Sequence, residues 1–84
     1  MGINTYDGTV GNLNSAVRDA LSVYNFFLEK SPAENIVLLT DRQATRSNII
    51  SQMSRIFTRA TKDHIVVFYF SGHGMQGYFC PYDM

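Results

Sequence analysis

The sequence has little of what several classes of protein require. Cys80 is its only cysteine, so the chain has no internal disulfide and no cysteine cluster for a metal ion. Seven basic residues balance seven acidic ones, which argues against a nucleic-acid partner or an anionic membrane surface. The longest apolar run, residues 65–70, is far too short to span a bilayer. We therefore predict no metal site, no nucleic acid and no membrane as a partner.

The chain is short and has one thiol. A single unpaired thiol is typical of a reducing compartment, and no secretory signal is visible in the first residues. We therefore expect an intracellular, cytoplasmic protein. The 84 residues allow at most one domain. A domain of this size buries only roughly 60% of the surface that its unfolded chain exposes, so we expect marginal stability.

Two stretches show the spacing of helices. Apolar residues recur at three- and four-residue steps over residues 13–28 and again over residues 49–60. Asn14 or Ser15 can cap the first helix, and Thr45 can cap the second.

Two other stretches are typical of strands. Residues 35–40 and 64–70 are apolar and β-branched without polar alternation, which predicts strands buried on both faces. Residues 3–8 resemble a strand end that enters a turn at Asp7-Gly8. The order strand, helix, strand, helix, strand predicts an α/β fold with a parallel sheet. Ligands of such sheets bind beyond the carboxyl ends of the strands, where the loops around Asp7 and after Phe70 should lie.

The loop after Phe70 contains a candidate for catalysis. Ser71-Gly72-His73-Gly74 places an imidazole between two glycines, which remove side-chain bulk and widen the allowed backbone angles. Histidine titrates near neutral pH, as a general base or acid must. The alternative is a surface histidine in a glycine turn.

The aromatic run that leads into Ser71-Gly72-His73-Gly74 resembles the caspase, metacaspase and paracaspase superfamily of cysteine peptidases. The resemblance covers nearly the whole chain and implies a three-layer α/β/α fold with a mainly parallel sheet. Residues 1–84 would form the incomplete β-α-β-α-β portion, which is the N-terminal part of a peptidase C14 domain and carries the catalytic histidine. The other matching segments are Gly2-Ile3-Asn4, residues 13–20 with Asp19, residues 35–41, Ala44-Thr45-Arg46 and Asn48-Ile49.

The resemblance implies a role for each of four residues. His73 matches the catalytic histidine of the Cys-His dyad, and Gly74 matches the glycine whose backbone N–H helps to form the oxyanion hole. Ser71 matches a residue that lines the S1 pocket. Asp19 matches the aspartate that binds the basic side chain before the scissile bond. The alternative for Asp19 is an exposed acid that pairs with Arg18 or with a neighbouring turn.

The same comparison indicates the substrate. Caspases that cut after aspartate carry an arginine ahead of the first helix, whereas residues 11–14 contain no basic side chain. The resemblance is therefore to enzymes that cleave peptides or proteins after Arg or Lys. It implies no cofactor for this chain and calcium for a complete metacaspase-like domain.

Cys80 is not predicted to be the nucleophile. The family's nucleophilic cysteine lies at the end of the following strand, far beyond the histidine, whereas residues 77–83 resemble a stretch in which the position of Cys80 is variable. We therefore predict an inactive chain that forms part of a cysteine endopeptidase domain. The alternative is a non-catalytic caspase-like module that acts by association. In the family, a complete strand ending at Gly2-Ile3-Asn4 lies between the next two strands, and here only its last residues are present. The sheet should therefore have unpaired strands, and we also expect self-association or binding of the missing C-terminal portion.

Overall fold

The computed structural model describes residues 1–8 and 11–83. Both predicted helices form, and two short 3-10 turns lie between them along the chain. Helix α1 is Ala16–Leu28, a 3-10 turn is Ala33–Asn35, a second 3-10 turn is Asp41–Gln43, helix α2 is Arg46–Arg59, strand β1 is Gly74–Met75 and strand β2 is Tyr78–Phe79. The two strands form an antiparallel hairpin in which Gly74 faces Phe79.

Helix α1 receives its cap from outside the helix. Ser15 occupies the N-cap position without a side-chain cap bond, and its hydroxyl instead accepts a hydrogen bond from Arg18 Nη2 at 3.2 Å. The Asn4 Oδ1 atom accepts from the Val17 N–H at 3.0 Å. The prediction that Asn14 or Ser15 caps this helix is therefore wrong, because an amide oxygen from the N-terminal segment already satisfies a free N–H of the first turn.

Helix α2 begins as predicted. The Thr45 Oγ1 atom accepts from the Asn48 N–H at 3.2 Å, so Thr45 is the side-chain cap. Ile49 is the buried residue of this helix, and Met53 is half-buried against the same core. These two residues face the core around the N-terminal segment, whereas Ile50 and Phe57 of the predicted apolar stripe are exposed.

The N-terminal segment lies between the two predicted strands but pairs with them at one point only. Gly2 makes parallel bridges to Thr40 on one side and to Ser71 on the other. The Gly2 N–H donates to Leu39 O, and the Ile3 N–H donates to Ser71 O, both at 3.0 Å. This order is the predicted one. The prediction of regular strands at 35–40 and 64–70 is nevertheless wrong, because only their carboxyl ends have a partner backbone in the described chain.

The predicted burial of these segments on both faces is also wrong. Ile65 is 91% exposed and Val67 is 60% exposed, and among the described residues no backbone pairs with this part of the segment. A cavity of about 820 Å³ lies beside both segments, and both helices contribute to its lining. We call this cavity the central slot. Met1, Tyr24, Leu38, Ile56 and Val67 are among its lining residues.

The best-buried residues lie at the other end of the sheet segments, beside the histidine loop. Five of them form one cluster, Ile3, Tyr6, Ala44, Ile49 and Cys80, and the other two, Ala16 and Ala20, lie on α1. Residues 1–3 are tied to α1 as well, since a Cβ on Gly2 would meet the Ala16 carbonyl oxygen and would come within 2.7 Å of the Ala20 Cβ. Neither helix of the described residues has the length and hydropathy that a membrane span requires.

Candidate active site

The histidine loop begins at a backbone that is fixed on the N-terminal segment. The Ser71 N–H donates to Met1 O and the Ser71 carbonyl accepts from the Ile3 N–H, both at 3.0 Å. Because these bonds hold the residue before Gly72, the loop leaves the sheet in a defined direction. His73 then lies at the carboxyl end of the 64–70 segment, as predicted from the sequence.

The imidazole of His73 is held in one orientation. Its Nε2 atom lies 2.7 Å from the Gly11 carbonyl oxygen. A carbonyl oxygen can only accept, so Nε2 carries the hydrogen and Nδ1 is the basic nitrogen of the neutral ring. The ring is half-buried, so it does not project freely from a glycine turn. The arrangement leaves one defined nitrogen able to take up a proton.

The backbone N–H of Gly74 points away from the hairpin. The Cys80 N–H donates to His73 O at 2.8 Å. Pairs in an antiparallel ladder alternate, so the next pair, Gly74 and Phe79, is the one that exchanges no hydrogen bonds. Gly74 is also exposed. Its N–H is therefore not used in the hairpin ladder and lies on the exposed side, next to His73.

Asp19 makes no described hydrogen bond to this loop. It is an exposed residue in the first turn of α1, and the described hydrogen bonds do not connect its carboxylate with residues 71–74. The guanidinium of Arg18 donates to Ser15 rather than to Asp19. Helix α1, which carries Asp19, is connected to Ser71 through Gly2. Gly2 pairs with Ser71 and packs against Ala16 and Ala20 of α1.

The sequence did not identify three residues that matter here: Tyr6 and Gly11, which contact His73, and Asp41, which binds the segment before Tyr6. The His73 N–H donates to the Tyr6 hydroxyl at 2.7 Å, and Gly11 binds the ring. The carboxylate of Asp41 accepts from the Asn4 and Thr5 N–H groups at 2.8 and 3.0 Å. The only signal in the sequence was the predicted loop around Asp7 at this edge, which did not specify these contacts.

Cys80 is buried in the core cluster. It is 3% exposed, and its thiol is free.

In the part of the chain that the structure describes, no three His, Cys, Asp or Glu side chains converge to fit a metal ion.

Comparison with known proteins identifies the family to which this arrangement belongs. The family model for the metacaspase, peptidase C14 domain matches residues 1–79. The chain belongs to the metacaspase family. It is 36% identical to a metacaspase-1 of Pyricularia oryzae, 37% identical to one of Cryptococcus neoformans and 31% identical to one of Kluyveromyces lactis, and each alignment covers 90% of the chain.

The chain spans only about a fifth of these metacaspases, between 18% and 21% of their length. No solved structure is a significant match. Membership of the metacaspase family implies an α/β fold and relates the chain to the caspase-like cysteine peptidases, which are hydrolases.

Proposed function

We propose that residues 1–84 are the N-terminal part of a caspase-like cysteine endopeptidase domain with a three-layer α/β/α fold. The observation that carries this proposal is the orientation of His73, whose Nε2 is occupied by the Gly11 carbonyl and whose Nδ1 is left as the base. The nucleophile is a cysteine that lies outside these residues. Cys80 is buried among core side chains, which supports a structural role for it.

The proposed chemistry uses two groups of this chain. The Nδ1 atom of His73 takes the thiol proton, and the thiolate attacks the carbonyl carbon of the scissile peptide. The Gly74 N–H donates to the oxygen that becomes negative in the tetrahedral intermediate. When the C–N bond breaks, His73 returns the proton to the leaving amine. Water then attacks the acyl-enzyme with His73 again as the base, which regenerates the thiol.

A chimera tests whether His73 performs this role. The chain would replace the matching segment of the Pyricularia oryzae metacaspase-1, and turnover of fluorogenic peptides ending in Arg or Lys would be measured. We expect activity that His73→Ala abolishes. His64→Ala is the matched control, because His64 is exposed and hydrogen-bonds locally to Thr61. An active His73→Ala chimera, or equal loss in both variants, would refute the proposed role.

The isolated chain should not hydrolyse these peptides. Its only thiol is that of Cys80, which is 3% exposed and cannot reach a substrate carbonyl without leaving the core. We expect no turnover of Arg- or Lys-terminated peptides above the buffer rate. Turnover that disappears in a Cys80→Ala variant would show that the nucleophile has been misassigned.

We further propose that Asp19 and Ser71 select a basic side chain before the scissile bond. In the chimera, Asp19→Ala should lower kcat/KM for Arg substrates by on the order of 100-fold, because an unpaired substrate charge would remain in the pocket. Glu29→Ala, which removes an exposed acid at the other end of α1, should change it little. Equal effects of the two variants on kcat/KM would indicate that Asp19 is only a surface acid.

The exposed side of the central slot favours a second function. Ile65 and Val67 present apolar side chains to solvent, which suits a non-catalytic module that associates with itself or with the remainder of the domain. Calcium binding is proposed for the complete domain only. The cytoplasmic location stays a prediction that rests on the single thiol.

A further inference from the structure

Tyr6 touches His73 in two places. Its hydroxyl oxygen accepts the His73 backbone N–H at 2.7 Å. The two ring centroids are 5.2 Å apart with an interplanar angle of 51°. Tyr6 is 9% exposed and belongs to the buried cluster, so its ring cannot swing away without disturbing the core. One side chain therefore limits both the backbone and the imidazole of the histidine.

The backbone around Tyr6 is fixed on both sides. Asp41 accepts hydrogen bonds from the Asn4 and Thr5 N–H groups, and the Asp7 N–H donates to Tyr82 O at 2.9 Å. Asp41 itself has a φ of 46°, a left-handed conformation that costs energy for a residue with a side chain. Asp41 thus keeps a strained backbone in a position from which its carboxylate binds the segment that carries Tyr6.

We propose that Tyr6 is the positioning residue for His73. The Tyr6 ring covers one side of the imidazole while the Gly11 carbonyl holds Nε2, so Nδ1 keeps one direction. The hydroxyl engages the His73 N–H, which leaves the adjacent Gly74 N–H as the donor for the oxyanion. This inference rests on the proposed peptidase function for its catalytic meaning, although the geometry can be tested without activity.

Two substitutions separate positioning from simple packing. Tyr6→Phe keeps the ring and removes the hydroxyl, whereas Tyr6→Leu removes the aromatic ring. Tyr82→Phe is the matched control, because Tyr82 also packs against the core and its described bonds to Ala44 and Asp7 are made by its backbone. A residue that only fills the core would show similar effects at both tyrosines.

Nuclear magnetic resonance of the 84-residue chain reads the geometry directly. In Tyr6→Phe we expect amide hydrogen exchange at His73 to accelerate about tenfold, as for the loss of one hydrogen bond, while the Ile49 amide in α2 exchanges as before. In Tyr6→Leu, the imidazole ¹⁵N shifts should show that the Nε2–H loses its hydrogen bond, because the ring can then turn away from the Gly11 carbonyl. An equal acceleration at His73 and Ile49, or no change at His73, would overturn the proposal.

Activity of the chimera gives the second measurement. Tyr6→Phe should lower kcat several-fold and leave KM unchanged, and Tyr82→Phe should alter neither. An effect on KM alone would overturn the catalytic part of the inference. A chimera that is inactive with Tyr6 in place would instead refute the proposed function. In that case the histidine resonances would still decide whether Tyr6 positions the ring.

Discussion

At the residue scale, the histidine loop depends on a glycine for steric reasons. A Cβ on Gly72 would lie 2.6 Å from the Tyr6 hydroxyl oxygen and 2.7 Å from Phe70 Cζ. Both neighbours belong to rings with little freedom to move, since Tyr6 is hydrogen-bonded to His73 and the Phe70 ring packs against Phe79 with the ring centroids 4.7 Å apart. The glycine before His73 therefore permits the close approach of Tyr6.

Gly72→Ala should destabilise the chain by about 1–3 kcal/mol, because overpacking displaces side chains or backbone. Urea unfolding followed by circular dichroism measures this change. Gly11→Ala is the control, since nothing lies within 4 Å of its added Cβ and its carbonyl is retained. If Gly11→Ala lowers the free energy of unfolding as much as Gly72→Ala does, the steric explanation fails.

Tyr6 should also make stability depend on alkaline pH. Burial raises the pKa of Tyr6, and the charges of Cys80 and Asp41 add to this effect, whereas the hydrogen bond from His73 opposes it. The folded state therefore holds this proton more tightly than the unfolded state. Its contribution to stability is complete below the unfolded pKa of 10.0 and is lost as the pH rises through the raised value.

The free energy of unfolding should thus fall above about pH 10 more steeply in the parent chain than in Tyr6→Phe. Urea titrations at a series of pH values give the two slopes. Tyr82→Phe is the comparison variant, because Tyr82 packs against the same core and its described hydrogen bonds are made by its backbone. Equal slopes in the parent and in Tyr6→Phe would mean that the Tyr6 phenol ionises as easily in the folded chain as in the unfolded chain.

The candidate site could be predicted from the sequence only in part. The glycine-flanked histidine is visible because its residues are adjacent, and the strand before it indicates its place at a sheet end. The contacts of His73 with Tyr6 and Gly11 join residues 67 and 62 positions apart. Such contacts follow from the packing of whole segments, which no local pattern in the sequence specifies.

At the element scale, the two helices and the two predicted strands had different outcomes for one physical reason. A helix closes its hydrogen bonds within itself, so the apolar spacing and the Thr45 cap were sufficient to predict α2. A strand needs a second backbone. Residues 35–40 and 64–70 have strand composition, but the described N-terminal segment offers them only the backbone of residues 1–3.

The side chain that caps α1 belongs to the N-terminal segment and not to the helix itself. Asn4→Ala should destabilise the chain by about 1 kcal/mol, the usual cost of a lost N-cap acceptor, because the Val17 N–H then loses its partner. Ser15→Ala should cost little, since that hydroxyl makes no cap bond. Urea unfolding and hydrogen exchange at Val17 measure both effects. If Ser15→Ala lowers stability more than Asn4→Ala does, Ser15 and not Asn4 is the residue that caps α1.

At the scale of the whole molecule, burial is uneven between the two ends of the sheet segments. The cluster around Ile3 and Tyr6 closes the end that carries His73, whereas the central slot leaves the opposite end open. Gly2 pairs with Thr40 and Ser71 on its two sides. The segments 35–40 and 64–70, which form the two walls of the central slot, are therefore about two strand spacings apart. This distance of roughly 9.6 Å leaves room for one strand between them.

An apolar edge with free backbone groups is a template for another strand. We therefore expect the chain to self-associate at micromolar concentration through the exposed wall at residues 65–68. Light scattering coupled to size exclusion measures the mass. Val67→Lys should shift the population toward monomer, because a charged side chain would have to be buried when a strand enters the slot.

Phe57→Lys is the control for this experiment, because Phe57 is 54% exposed on α2 and does not line the central slot. We expect this variant to associate as the parent chain does. If only Phe57→Lys produces monomer, the contact runs through the helix face and not through the slot. If the parent chain is itself a monomer that unfolds cooperatively, the backbone groups along residues 65–68 are satisfied by water, and the slot does not recruit a strand at these concentrations.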